Sequence, residues 1–242
     1  GEVAAQTAVD LIVRDLNPGA GDTENQVRRA IAAANNEIFR LAQSDIDSAG
    51  MACVLTVAVV HDDRVTIGHV GDSRLYLCWN GTLRKLTSDH SPVGELEDLG
   101  ELTETEAMSH PRRNEVFRDV GSRERNATDA DFIDVKSVPF HPSAALLLCS
   151  DGLSDSLTST EIASIVETYS GDPGATAELL VQAANERGGN DNVSVVFVAG
   201  PEFIGANSPD MAYARVGHAL PPMRTGRPRW ERQLTRRLGL GR

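Results

Sequence analysis

The period of the apolar residues changes near Met51, and this change limits the fold more than any other feature of the sequence. Before it, the chain reads as two helices. Val3 to Leu16 is closed by Asn17-Pro18-Gly19, and in the second helix Val27, Ile31, Ala34, Ile38 and Leu41 share one face. Thr23 followed by Gln26 is a capping-box pattern at the start of that second helix. From Met51 the apolar residues become β-branched and fall in short runs: Met51 to Val60, Val65 to Val70, Leu75 to Trp79 and Thr82 to Leu86. Asn80-Gly81 lies between the last two and is a strong hairpin signal, so the group reads as an antiparallel meander. Further on, Asp131 to Val138 alternates, Ala144 to Cys149 is a buried-strand run, Glu161 to Thr168 and Ala175 to Arg187 are helical, and Val193 to Val198 is a last strand. Strands in adjacent runs, with helices before and after, predict an α+β fold rather than βαβ alternation.

Residues 89 to 125 interrupt this order. They are polar and charged without a long apolar face, and Thr103-Glu104-Thr105-Glu106 opens a short helix. Such a stretch reads as an excursion that carries function on a scaffold. The domain spans residues 1 to 200, and 201 to 242 form a basic Pro- and Arg-rich tail with eight Arg against three acids. Its composition favours a flexible segment. Trp230, Leu234 and Leu238 fall at helical spacing there, and contact with a membrane surface is the weaker reading.

Composition removes other classes. A net charge of -12 argues against nucleic acid as a partner of the whole molecule. Cys53, Cys78 and Cys149 are odd in number and form no C-x-x-C pair, which disfavours a disulfide framework or a zinc site. Buried thiols in a reducing cytosol fit better, so the expected location is cytoplasmic. No apolar run approaches the length of a membrane span.

The chemistry gathers in three Asp-containing turns beside strong strand signals. These are Gly71-Asp72-Ser73-Arg74, Ser150-Asp151-Gly152-Leu153-Ser154-Asp155 and Gly188-Gly189-Asn190-Asp191-Asn192. A carboxylate at the end of a buried strand, next to Gly, is held rigidly where another backbone can approach, as coordination of a hard cation requires. Clustered Asp without His or Cys points to Mg²⁺ or Mn²⁺ rather than zinc. Each turn alone is an ordinary Asx-turn former, and only their combination in this order carries weight.

The turns belong to a longer set of matches: Gly68 to Arg74, Leu86-Thr87-Ser88-Asp89-His90-Ser91, His110 to Val116, Leu147 to Leu153, and Gly188 to Val195. Over residues 1 to about 199 the chain thereby resembles the metal-dependent protein serine/threonine phosphatases of the PPM or PP2C type, in their bacterial form. The resemblance implies a four-layer αββα sandwich of two antiparallel sheets flanked by helices, with two Mn²⁺ or Mg²⁺ ions in a cleft at one end and a third, weaker position. It also implies direct in-line attack by a metal-bridging hydroxide on phosphoserine or phosphothreonine. Two ions about 4 Å apart make water a nucleophile at neutral pH and clamp the phosphoryl charge. By motif, Asp151 and Asp191 match the carboxylates of the first ion. Asp72 matches an Asp of the third position, and Asp155 lies where some relatives supply that position with another ligand. Ser91 to about Phe117 would be a flap beside the cleft. The implied partners are phosphoproteins, with a Ser/Thr kinase and its substrates, and the expected state is a monomer.

Departures from the pattern matter equally. The family opens with strands carrying a phosphate-gripping Arg, an acidic residue and an Asp-Gly-x-Gly-Gly-His motif whose Asp bridges both ions, and none of these is present. Gly1-Glu2-Val3-Ala4 matches the segment just after that motif. The expectation is an N-terminally incomplete domain, weak or inactive by itself, with unpaired sheet edges. The alternative is a non-catalytic PP2C-like phosphoprotein-binding or regulatory module. Among neighbouring residues, His90 reads as a turn residue, His69 as a hydrogen-bonded structural group, His110 and Arg112 as exposed flap surface, and Arg74 as a supporting ion-pair partner, with Asp72 or Asp151 the candidate acids.

Overall fold

The computed structural model describes residues 1–206 apart from 18, 20, 45–47 and 190. Helices α1 (Glu2–Asp15) and α2 (Thr23–Ser44) lead, followed by β1 (Leu55–His61), β2 (Arg64–Val70), β3 (Arg74–Trp79) and β4 (Thr82–Lys85). The polar excursion holds α3 (Pro92–Asp98) and α4 (Glu104–Met108). Then come β5 (Asp134–Pro139), β6 (Ala145–Cys149), α5 (Asp151–Ser154), α6 (Ser159–Val166), α7 (Pro173–Glu186) and β7 (Val195–Ala199). Of the tail expected over 201–242, residues 207–242, with Trp230, Leu234 and Leu238, lie outside the described residues.

Two antiparallel sheets form, ordered β1-β2-β5 and β4-β3-β6-β7. Successive residues of a strand face opposite sides, and this alternation builds three apolar layers. Ile31, Ile38, Val57 and Phe132 fill the space between α1/α2 and the first sheet. Val65, Ile67, Leu75 and Leu146 meet between the sheets. Leu147, Ile162, Leu180 and Phe197 fill the space between the second sheet and α6/α7. The order helix, sheet, sheet, helix is the expected αββα sandwich. Helix α2 settles onto the sheet over Gly68, where a Cβ would lie 2.3 Å from Val27 Cγ1.

Three local expectations need correction. The strands do not form one meander: β1–β2 and β3–β4 are hairpins in different sheets, and the chain changes sheet at Gly71-Asp72-Ser73. Gly71 permits this with φ +111° in a place where a Cβ would lie 2.3 Å from Val54 Cγ1. The cap of α2 is Asp22 rather than Thr23, since Asp22 Oδ1 accepts from the Asn25 N–H at 3.1 Å while Gln26 Oε1 accepts from the Asn17 N–H. The run from Met51 becomes a strand only at Leu55, and Cys53 makes a single bridge to Val120. Asn80-Gly81 does close the β3–β4 hairpin, both residues having positive φ.

From residue 201 to 206 the chain stays packed on the body. The Phe203 and Tyr169 rings meet in a tilted arrangement with centroids 5.2 Å apart, and the Gly205 N–H donates to Tyr169 O at 3.3 Å. The strands β1 and β7 end their sheets, and Val60, Val196 and Val198 are exposed on them. Among the described residues no helix is long and apolar enough to cross a membrane.

Candidate metal and active site

The three Asp turns sit where strands end or cross. Asp72 lies in the crossover between β2 and β3. Asp151 opens α5 directly after β6, Asp155 closes that helix, and Asp191 lies in the loop before β7. Because β6 and β7 are neighbours, the Asp151 and Asp191 loops are drawn together. Ser150 and Ser194 fasten them: the Ser150 N–H donates to Ser194 O (3.1 Å), the Ser194 N–H to Ser150 Oγ (3.0 Å), and Ser150 Oγ to Asn192 O (3.1 Å). Gly152 makes the approach possible, since a Cβ there would lie 2.5 Å from the Asn192 carbonyl oxygen. This explains the Asp-Gly pair physically: the glycine is needed for the contact between the loops.

Asp72, Asp151 and Asp155 line one cleft together with Arg74, Asp89, Glu97, Glu104 and Arg113, whereas Asp191 stands outside that lining. The carboxylates are crowded. Burial, then Asp151 and Asp89, push Asp72 up to about 6. Burial, then Asp151, push Asp155 up to about 6, against the lowering effect of Arg113. Burial, then Asp191, raise Asp151 as well.

Arg74 makes no bond to these carboxylates and only weakly offsets the crowding, at Asp155. It pairs instead with Asp89 (2.9 and 2.7 Å) and Glu97 (2.8 Å), away from both Asp72 and Asp151. Composition gives no sign of that buried triad. Asp89, His90 and Ser91 open a polar stretch, yet each is less than one-tenth exposed, so the excursion leaves the core only after them. Ser91 caps α3 through the Gly94 N–H (2.9 Å), with Pro92 as its first residue. That Ser-Pro pair was a legible helix start. Helix α4 has the Thr103/Glu106 capping box. The flap is tied to the body by Glu97 on Arg74, by Asp98 on Lys85 (2.8 Å), by Glu104 accepting from Ser159 N–H (2.7 Å) and Oγ (2.6 Å), and by Arg113 Nε on Asp155 Oδ2 (3.2 Å). Arg112 and Glu115 pair with each other on the exposed surface, and His110 caps the Arg112 N–H locally.

Among the described residues no three His, Cys, Asp or Glu side chains form a group close enough to hold an ion. The chemistry of the donors nevertheless suits a hard divalent cation: four carboxylates without thiolate or imidazole, three with raised proton affinity. Mg²⁺ and Mn²⁺ bind through a few carboxylates and keep several waters, so a partial protein donor set is compatible with them.

Comparison with known proteins gives the family and the fold. The family described as Protein phosphatase 2C matches residues 1–182. The chain is 37% identical over 203 residues to the serine/threonine phosphatase stp of Listeria welshimeri, covering 82% of this chain and 78% of that one. The crystal structure of the Mycobacterium tuberculosis serine/threonine phosphatase PstP/Ppp superposes with a TM-score of 0.72 at 30% identity, covering 82% of each chain. A crystal structure of the catalytic domain of PstP in complex with 2 manganese ions gives a TM-score of 0.71 at 30% identity, covering 82% of this chain and 81% of that one. Fold, motif order and sequence identity converge, and the chain belongs to the protein phosphatase 2C family, among its bacterial serine/threonine phosphatases.

Proposed function

We propose that this phosphatase removes phosphate from phosphoserine and phosphothreonine in proteins with the help of two Mn²⁺ or Mg²⁺ ions, Asp151 and Asp191 holding the first. Asp72 and Asp155 serve a third, weaker position. The observation that carries this reading is the concentration of carboxylates with raised proton affinity at one end of the sandwich, where Arg74 is already committed to Asp89 and Glu97. Carboxylates gathered with too few cations repel one another, and divalent ions offset that repulsion. When bound, such ions make water a nucleophile at neutral pH and neutralise charge on the phosphoryl oxygens.

The residues of the chain bind and orient. The Ser150–Asn192–Ser194 bonds hold the Asp151 and Asp191 loops at a set spacing. The Gly152 N–H, donating to Asp151 Oδ1 at 2.9 Å, fixes the direction of that carboxylate. The flap closes one side of the cleft through Glu104 and Arg113.

Phosphoproteins are the substrates, and a Ser/Thr kinase producing them is the opposing partner. We place the enzyme in the cytoplasm as a monomer, a location supported by three free thiols, of which Cys78 and Cys149 are buried and pushed up to about 12 by that burial.

The test is Asp151→Asn and Asp191→Asn in the full-length protein, assayed for Mn²⁺-dependent hydrolysis of a phosphothreonine peptide. Each should abolish turnover, because an amide does not supply the negative charge that holds the ion. Near-parental activity in either variant would overturn the assignment.

A further inference from the structure

The Asp72 turn is fastened from an unexpected side. His90 is 4% exposed and lies against Gly71, the residue before Asp72. Its backbone N–H donates to Gly71 O at 2.7 Å, and its ring Nδ1 accepts from the Gly71 N–H at 3.0 Å. One residue thus grips both peptide groups of Gly71.

The ring is itself held in one tautomer. Because Nδ1 accepts from the Gly71 N–H, the proton sits on Nε2, which faces Asp134 Oδ2 at 3.1 Å; Arg118 Nη1 lies 3.1 Å from the same nitrogen, and, being a donor only, it makes no hydrogen bond to a protonated Nε2. Arg118 Nη1 completes the support by donating to Asp134 Oδ1 at 2.9 Å. The His69 ring packs on His90 with centroids 4.7 Å apart. Burial pushes His69 down to about 4, so its ring is neutral. His69 Nε2 donates to Ser88 O (3.0 Å), which leaves Nδ1 to accept from the Thr56 hydroxyl (2.9 Å). Thr56 Oγ1 in turn lies 2.8 Å from Ser73 Oγ. The turn is held at Gly71 by His90 and at Ser73 by Thr56.

We propose that His90 is the positioning residue of Asp72: its Nδ1 and backbone N–H set the orientation of the Gly71 peptide, and so the direction in which the Asp72 carboxylate enters the cleft. This rests on the reading of Asp72 as a metal carboxylate. Gly71 makes such a clamp necessary. Its φ of +111° is open only to residues without a Cβ, and a glycine peptide left unheld samples many directions. Outer partners of this kind typically govern metal affinity by about 10- to 100-fold.

Side-chain geometry supplies a selective test. The Oδ1 of Asn is as far from Cβ along the chain as Nδ1 of His, whereas the amide of Gln reaches one bond further, to the place of Nε2. His90→Asn therefore keeps the acceptor for Gly71, and His90→Gln loses it. Calorimetric titration of the full 242-residue chain with MnCl₂ should show His90→Asn within about threefold of the parent, and His90→Gln weakened at least tenfold, matching Asp72→Asn. A ¹⁵N spectrum of the metal-free parent should show His90 Nδ1 unprotonated and Nε2 protonated. If Asp72→Asn leaves the MnCl₂ isotherm unchanged, the metal role of Asp72 falls, and the proposal with it. If Asp72→Asn weakens binding while His90→Asn and His90→Gln behave alike, the positioning role alone is overturned. A protonated Nδ1 in the parent overturns it even where a variant does not fold.

Discussion

Replacing Asp72 by Asn should make the metal-free protein more stable at neutral pH while weakening its response to Mn²⁺. Burial and the neighbouring Asp151 and Asp89 raise the Asp72 carboxyl from 3.8 to about 6. That is a difference of about two units between folded and unfolded chain, on the order of 3 kcal/mol. The sign follows from linkage: the folded state holds the proton more tightly, so stability falls as pH rises between about 4 and 6. Above that window the ionised carboxylate imposes its full cost, and below it both states are protonated and the cost vanishes. Asn is uncharged throughout. For a chain of this size about 3 kcal/mol corresponds to roughly 6–12 °C in unfolding temperature. His69, lowered to about 4, tilts the parental profile in the opposite sense, because the unfolded chain takes up its proton first. Subtracting parent from variant at each pH removes that contribution. Scanning calorimetry with a chelator present should therefore show Asp72→Asn unfolding several degrees above the parent at pH 7.5, with the gap closed near pH 4. Added Mn²⁺ should raise the parent more than the variant, since a ligand stabilises the folded state by RT ln(1 + [L]/Kd). A variant no more stable than the parent at pH 7.5, or a gap of equal size at both pH values, would refute the electrostatic reasoning.

Gly152→Ala places a methyl group 2.5 Å from the Asn192 carbonyl oxygen and 3.0 Å from its carbon, both backbone atoms that have to move. A loss of about 1–3 kcal/mol is expected, with weaker Mn²⁺ binding as the Asp191 loop is pushed from Asp151; unchanged thermal unfolding and an unchanged isotherm would contradict it. Arg74→Met leaves the buried Asp89 and the part-buried Glu97 without their shared guanidinium, and a urea titration should show a loss of about 3 kcal/mol. A loss under about 1 kcal/mol would mean that the triad behaves like a solvent-screened pair.

Much of the fold was legible because its signals are local. The spacing of Val27, Ile31, Ala34 and Ile38 needs only one turn of helix to reveal itself, and Asn80-Gly81 reports two positive φ values regardless of its surroundings. The sheet change at Gly71 was not legible, because short apolar strands in series look the same whether they pair with one another or divide between two sheets. Asp89 and His90 were misjudged for a related reason. Polar residues in a polar stretch suggest exposure, and their burial depends on partners such as Arg74, Asp134 and Gly71 that only the fold supplies.

For the candidate site the division is similar. By itself the sequence determined the family, the order of the motifs and the identity of the four Asp side chains, because glycine-bounded turns and residue types are properties of short segments. Tertiary structure decided which of them share a space: Asp72, Asp151 and Asp155 in one cleft, Asp191 brought beside Asp151 through the β6–β7 pairing, and Arg74 bonded to Asp89 and Glu97 rather than to any of the four. Proton affinity, cation attraction and loop orientation depend on burial and on charges contributed by distant segments, and those exist only once the sheets have closed on each other.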